Sequence, residues 1–127
     1  MRRTIVAAVA VLALALGLCT AGHVAVNRAV AEAGALISSA RRAARLGDVD
    51  TARDRLRALS ERWEKRWGVL ELITSHDALF DAKGGIRDAL TCLEQGDKGE
   101  FYRAAAGLEV RLERLRDSEA LRWANLY

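Results

Sequence analysis

An uncharged, apolar segment near the start of the chain limits its possible folds more than any other feature. Residues 4–26 contain no Asp, Glu, Lys or Arg, and residues 4–21 are mostly Ala, Val and Leu. An α-helix rises about 1.5 Å per residue, so about 20 such residues cross the hydrocarbon layer of a bilayer. Residues 1–27 are therefore predicted to form a membrane anchor, and residues 28–127 an extracytoplasmic helical domain.

A cleaved signal peptide is the main alternative to this anchor. Its apolar core usually has about 7–15 residues, which is shorter than the segment here, and cleavage needs small residues that the sequence before Gly22 supplies poorly. Lipidation at Cys19 would need a small residue where Leu18 stands. The segment is therefore predicted to be an uncleaved anchor.

The charges flanking the segment predict its orientation. Arg2 and Arg3 precede it, whereas the first basic residue after it, Arg28, is soon followed by Glu32. Because basic residues stay on the cytoplasmic side, the N-terminus is expected inside a bacterial cytoplasmic membrane and the C-terminal domain outside.

The remaining composition and spacing predict an all-α fold. The chain has no proline, and 29% charged residues with 51% hydrophobic residues argue against both a β-sandwich and disorder. Gly47-Asp48 and Gly96-Asp97 each follow one helical segment and precede another. The expected architecture is an N-terminal transmembrane helix followed by a small antiparallel helical bundle of two helical hairpins. Two such units are fewer than the three or so that a repeat array needs.

Apolar residues recur at steps of three and four, which is the spacing of one buried helical face. The predicted core stripes after the first helix are Ala52, Leu56, Leu59, Trp63, Trp67, Leu70 and Ile73, then Leu79, Ala82, Ile86, Leu90 and Leu93, then Phe101, Ala104 or Ala105, Leu108, Leu112 and Leu115. The residues predicted to cap helix starts are Asp48 or Asp50, Ser75, Asp97 with Glu100 in a capping box, and Ser118 before a last short turn. A kink or a close helix contact is expected at Gly84-Gly85.

The net charge is misleading as a sign of nucleic-acid binding. Lys and Arg number 20 against 17 Asp and Glu, but Arg2 and Arg3 precede the apolar segment, so the domain itself is nearly neutral. A nucleic-acid binder needs a concentrated basic face. No nucleic-acid partner is predicted, and the basic residues 41–66 are expected to face the more acidic residues 67–127 or solvent.

His76 is the one plausible catalytic side chain outside the apolar segment. Asp77 and Asp81 lie nearby, but a step of five residues does not place His76 and Asp81 on one helical face. A small enzyme using His76 would need these side chains to converge, and the favoured interpretation is a helix-start histidine that bonds locally or packs on Trp67 or Trp123. No catalytic residue and no small-molecule substrate are predicted.

Metal and cofactor sites are not indicated either. His23, the other imidazole, lies at the membrane edge, and Cys19 and Cys92 lie on opposite sides of the anchor boundary. A zinc site needs three or four converging ligands. The prediction is no metal, no cofactor and no disulfide framework.

Trp63 and Trp67 are four residues apart, so they lie side by side on a helix as an aromatic site or as part of the core. Basic and aromatic side chains that an exposed helix face would present to a partner form the candidate interaction set: Arg53, Arg55, Arg57, Trp63, Trp67, His76 and Trp123.

Several short motifs recur in one order along the chain. A basic start and an apolar segment precede WEKRW at residues 63–67, HDAL at residues 76–79 and LRWANLY at residues 121–127. In this order the chain resembles the bacterial domain-of-unknown-function family 4363 over almost its whole length, although it is richer in Ala and Arg and carries Gly84-Gly85. The resemblance implies a short, N-terminally anchored helical protein without a known activity, with an integral membrane protein as a partner.

The sequence as a whole predicts a non-enzymatic, single-pass membrane protein. Its helical domain would be an interaction or accessory module in the bacterial cell envelope, and its partner another envelope or integral membrane protein. The alternatives are a secreted soluble helical bundle released by signal cleavage, a helical-repeat-like adaptor, and the small enzyme that uses His76.

Overall fold

The computed structural model describes residues 1–126, and the side chains of residue 73 and of residues 119–126 lie outside that description. Within it the chain forms four α-helices and no strand, so the all-α prediction is confirmed. In chain order the helices are α1 (Arg2–Arg45), α2 (Val49–Ile73), α3 (His76–Glu94) and α4 (Lys98–Leu126). Helix α1 packs on α2 and α4, and α3 packs on α2 and α4.

Helix α1 joins two different environments without a break. It has 44 residues, and the side chains of residues 1–21 are exposed apart from the half-buried Cys19. From Gly22 onward one of its faces is buried, with Val26 and Ile37 fully covered. By length and composition α1 is able to cross a membrane. Packing against the other helices thus begins at Gly22, before the domain boundary predicted at residue 27.

The same turn closes both helical hairpins. Gly47 and Gly96 have φ angles of +80° and +75°, a left-handed conformation that glycine adopts without the steric cost of a side chain. The N–H groups of Asp48 and Asp97 then donate to the carbonyl five residues earlier, at 2.9 and 3.1 Å. This is the Schellman arrangement, which satisfies the last carbonyls of α1 and α3.

Each of these aspartates also begins the next helix. The Asp48 carboxylate accepts from the Thr51 N–H at 3.1 Å, and the Asp97 carboxylate accepts from the Glu100 N–H at 3.1 Å. These bonds satisfy N–H groups that the first helical turn leaves unpaired. The predicted capping roles of Asp48 and Asp97 are therefore confirmed.

Of three further expectations about helix starts, one is wrong and two are confirmed only in part. No separate turn begins at Ser118, because α4 continues without interruption to Leu126. Ser75 stands at the N-cap of α3, but its side chain makes no capping hydrogen bond. The Glu100 carboxylate pairs with Arg103 at 3.1 Å and does not complete a capping box.

The predicted apolar stripes form the core. Trp67 and Leu90 are only partly buried against it, and residue 73 lies outside the described side chains. The residues of α2, α3 and α4 that are buried as predicted are Ala52, Leu56, Leu59, Trp63, Leu70, Leu79, Ala82, Ile86, Leu93, Phe101, Ala105, Leu108, Leu112 and Leu115. Four helices with one covered face each account for this single core.

Gly85 allows a close approach between α3 and α4. A Cβ atom at this position would lie 2.9 Å from Nη1 of Arg111 and 3.0 Å from Cδ1 of Leu108, whereas one at Gly84 would meet nothing within 4 Å. Helix α3 runs through both glycines without interruption. Of the two outcomes expected for this pair, the structure shows the close helix contact.

Replacing these two glycines separately tests that contact. Gly84→Ala should raise the free energy of unfolding by up to about 1 kcal/mol, because Ala favours the helix over Gly. Gly85→Ala has the same helical preference, but its methyl group would crowd Cδ1 of the fully buried Leu108, at 3.0 Å, in addition to displacing the Arg111 guanidinium. We therefore expect it to be less stable than Gly84→Ala by about 1 kcal/mol or more. Urea unfolding of the full chain in mild detergent, followed by circular dichroism, measures both, and equal stabilisation would contradict the close contact.

Candidate functional site

The three candidate arginines lie near the start of α2 and differ in their surroundings. The Arg53 guanidinium lies 3.2 Å from the carboxylate of Asp50, and that of Arg57 lies 3.6 Å from Glu94 of α3. Arg55 is exposed, and no ion pair among the described side chains involves it. Its charge is therefore the most available of the three.

The three candidate tryptophans do not form one site. Trp63 is 2% exposed and belongs to the core, whereas Trp67 is only partly buried. Trp123 lies in the part of α4 whose side chains are not described. Along α2, Trp67 is about 15 Å from Arg57 at 1.5 Å per residue. The predicted interaction residues thus divide between a basic surface and a separate aromatic one.

Trp67 contacts two aromatic rings at the start of α3. The ring centroids lie 6.2 Å apart for Trp67 and His76, 5.1 Å for Trp67 and Phe80, and 4.6 Å for His76 and Phe80, all edge to face. We call these three residues the aromatic cluster. The sequence prediction brought Trp67 and His76 together but missed Phe80. Its position four residues after His76, on the same helical face, was the available signal.

Charged side chains border the aromatic cluster. Lys83 Nζ lies 5.2 Å from the centroid of the Trp67 ring and 2.6 Å from the Glu64 carboxylate. Nδ1 of His76 lies 3.3 Å from the Glu71 carboxylate. The cation over the ring is a favourable electrostatic contact. The cluster is therefore an aromatic patch bordered by side chains of both signs of charge.

The carboxylates near His76 in sequence are engaged elsewhere or exposed. Asp81 lies 3.6 Å from the Arg111 guanidinium of α4, and its carbonyl accepts from Arg111 at 3.3 Å. Asp77 is exposed. Among the described residues, no group of three or more His, Cys, Asp or Glu side chains is placed to hold a metal ion.

A cleft of about 420 Å³ lies between α3 and α4. Cys92 lines it, and burial raises the pKa of the Cys92 thiol, with the negative charges of Glu100, Asp97 and Asp88 adding to the effect. A raised pKa leaves less thiolate at neutral pH, and the thiolate is the nucleophilic form. Cys92 is therefore a poor nucleophile in this cleft.

A second cleft, of about 390 Å³, lies between α1 and α2 where α1 leaves its exposed apolar half. We call it the α1–α2 groove. It is lined by Ala21, Val24, Ala25, Arg28, Arg66, Val69 and Leu70. Sequence patterns did not predict it, because each helix shows only its own periodicity and not its register against a neighbour.

One carboxylate binds two arginines beside the α1–α2 groove. Glu32 of α1 lies 2.8 Å from the guanidinium of Arg66 and 3.6 Å from that of Arg62, both on α2. The hydrogen bond from Arg66, followed by the charges of Arg66, Arg62 and Arg28, lowers the pKa of Glu32. Glu32 therefore stays ionised well below neutral pH and ties α1 to α2.

Comparison of the chain with protein families, with curated proteins and with solved structures gives no match. The resemblance to family 4363 therefore stays a prediction.

The reactivity of Cys92 tests the electrostatics of the α3–α4 cleft. In a Cys19→Ser background, Glu100→Gln removes a negative charge, lowers the thiol pKa and should increase the rate of iodoacetamide alkylation at neutral pH. Glu113→Gln, at an exposed residue of the same helix that is no cause of the Cys92 shift, is the matched control. Mass spectrometry of the labelled chain over time gives the rates. Identical rates in the two variants would show that Glu100 does not influence the thiol.

Proposed function

We propose that this chain is a single-pass membrane protein of the bacterial cell envelope, whose extracytoplasmic bundle of two antiparallel helical hairpins is an interaction or accessory module without enzymatic activity. One observation carries the proposal: the apolar half of α1 is uncovered, while the other half of the same helix forms part of the core. Only 6% of the most apolar 18-residue stretch of α1 is buried. A core helix of a soluble protein would have that surface covered.

The energetics of the uncovered half favour a bilayer. Large apolar side chains such as Val6, Leu12 and Leu18 are all more than half exposed. Apolar surface left in water costs about 25 cal/mol per Å², so a contiguous stripe of this length is unfavourable in solution. Burial of that surface among acyl chains removes the cost.

The position at which α1 begins to pack is also compatible with the alternative of a secreted domain. Burial of α1 begins at Gly22, so cleavage near that residue would leave the core intact. A released, soluble bundle is therefore the second candidate function, with the same surfaces available to a soluble partner.

The aromatic cluster and its surroundings form the proposed interaction surface. Phe80 is 51% exposed and Leu72 is 86% exposed, at the α2–α3 end of the domain. Leu70 and Ala25 line one groove, so this end lies at the level where α1 enters the packed region. An integral membrane partner would meet the cluster close to the bilayer, and an acidic partner would meet Arg55 farther away.

Fractionation separates the two candidate functions. The full chain, tagged at its C-terminus, should stay in the membrane pellet after a carbonate wash and lose its domain to protease added from outside. A shorter species in the exported soluble fraction would identify the cleaved form instead. A full-length species protected from the protease would contradict the proposed orientation.

Substitution of Arg55 tests the basic surface. Arg55→Glu should reduce in vivo cross-linking to an acidic envelope partner severalfold, because it reverses a charge that is not engaged in an ion pair. Arg87→Glu, at an exposed arginine of α3, is the control for a general change in net charge. Equal cross-linking in the two variants would exclude Arg55 from the interface.

Substitution of His76 distinguishes binding from catalysis. His76→Phe keeps an aromatic ring beside Trp67 and Phe80 but removes every proton-transfer function of the imidazole. A binding module should retain its cross-linked partner and its cellular phenotype in this variant. Loss of the phenotype with the cross-link intact would favour the enzyme alternative.

A further inference from the structure

The α1–α2 groove lies where the apolar segment leaves the hydrocarbon layer. About 20 residues from Thr4 bring the helix to His23, the far edge of a layer about 30 Å thick. At 1.5 Å per residue, Arg28 then stands about 8 Å above that edge, at the level of the lipid headgroups. The groove, which extends from Ala21 to Arg28 on the α1 side, therefore straddles the boundary between acyl chains and headgroups.

The walls of the groove are apolar and open to the surroundings. Val24 of α1 is 47% exposed and Val69 of α2 is 57% exposed, and Leu70 lies between the helices. The small side chains of Ala21 and Ala25 leave the space that these walls enclose. An acyl chain lying along this surface would bury apolar area that is otherwise left uncovered.

The outer end of the groove is positively charged. Arg28 and Arg66 line it, and the carboxylate of Glu32 already binds both Arg62 and Arg66. Arg28 takes part in no ion pair among the described side chains, so its positive charge is in excess there. Side chains on a helix point toward its N-terminus, so Arg28 leans toward the bilayer.

We propose that the α1–α2 groove binds one anionic phospholipid from the leaflet in which α1 emerges. The phosphate lies at Arg28, with Arg66 as a second donor, and an acyl chain lies along Val24 and Val69. Guanidinium groups suit this role, because their planar N–H donors match phosphate oxygens. This inference rests on the proposed membrane anchor and adds the chemistry of a lipid partner to it.

Lipid retention by the purified full chain tests the proposal. The protein in mild detergent is mixed with equal amounts of phosphatidylglycerol and phosphatidylcholine, and native mass spectrometry counts the lipid of each class that stays bound. We expect preferential retention of phosphatidylglycerol. Arg28→Gln should lower its affinity about fivefold, which corresponds to about 1 kcal/mol. Equal retention of the two lipids by the unaltered chain would overturn the proposal.

A matched charge control uses the same helix. Arg42 is exposed on α1 and stands about 21 Å beyond Arg28 at 1.5 Å per residue, more than the Debye length of about 8 Å. Arg42→Gln should leave the preference for phosphatidylglycerol unchanged. If it lowers the preference as much as Arg28→Gln does, binding follows net charge and not the groove.

A second pair of variants tests the groove without altering charge. Ala21→Phe places a ring in the groove and should reduce retention of phosphatidylglycerol, whereas Ala15→Phe, in the exposed apolar half of α1, should not. Unchanged retention in Ala21→Phe would overturn the acyl-chain position. Displacement of the lipid by inorganic phosphate at a similar concentration would show that the site binds free phosphate and would overturn the choice of a lipid.

Membrane association distinguishes failure of this inference from failure of the anchor. In phosphatidylcholine vesicles, the unaltered chain and Arg28→Gln should both resist a carbonate wash, since the anchor does not depend on the groove. A chain that stays inserted but shows no lipid preference overturns the lipid site alone. A chain that washes off overturns the anchor and the lipid site together.

Discussion

The continuity of α1 is the constraint on which the rest of the structure depends. One helix of 44 residues carries an uncovered apolar half and a half that packs on α2 and α4. No proline interrupts this helix, and the first residue with a left-handed backbone conformation, Gly47, comes after the helix has ended. A flexible linker would let a domain sample many orientations, whereas an unbroken helix fixes the domain relative to the apolar half of α1. The end of the domain formed by the α2–α3 connection is therefore held beside the site where α1 leaves its apolar half.

The sequence predicted the helices and their buried faces well, because both depend on local chemistry. Steps of three and four residues place Leu56 and Leu59 on one face wherever α2 packs, and a Gly-Asp turn ends a helix by its own backbone geometry. Which helices pack together, and in what register, depends on contacts between side chains that are far apart in the sequence. The close approach of Gly85 to Leu108 and Arg111 is such a contact. From the sequence, the Gly84-Gly85 pair predicted a kink as readily as a close helix contact.

The candidate site was harder to predict for the same reason. A step of four residues turns a helix about 40° past a full turn, so Trp67 stands at the border of the face on which Trp63 is buried. Its partners Phe80 and Lys83 come from α3, and no pattern within α2 contains them. The sequence therefore identified the residue types that a binding surface uses, while the division into a basic and an aromatic surface required the fold.

The surroundings of Arg28 show that spacing along the sequence and packing in the fold can predict different ion pairs. In the sequence, Glu32 stands four residues after Arg28, which is the spacing of an ion pair on one helix, but in the fold Arg66 binds that carboxylate at 2.8 Å. Orientation in a membrane depends on basic residues within about 15–20 residues of the span. Arg62 and Arg66 lie outside that window and do not alter the orientation predicted from Arg2 and Arg3. They come close to Glu32 of α1 only when α2 packs on α1, so the cluster of positive charge beside the α1–α2 groove is a property of the folded domain.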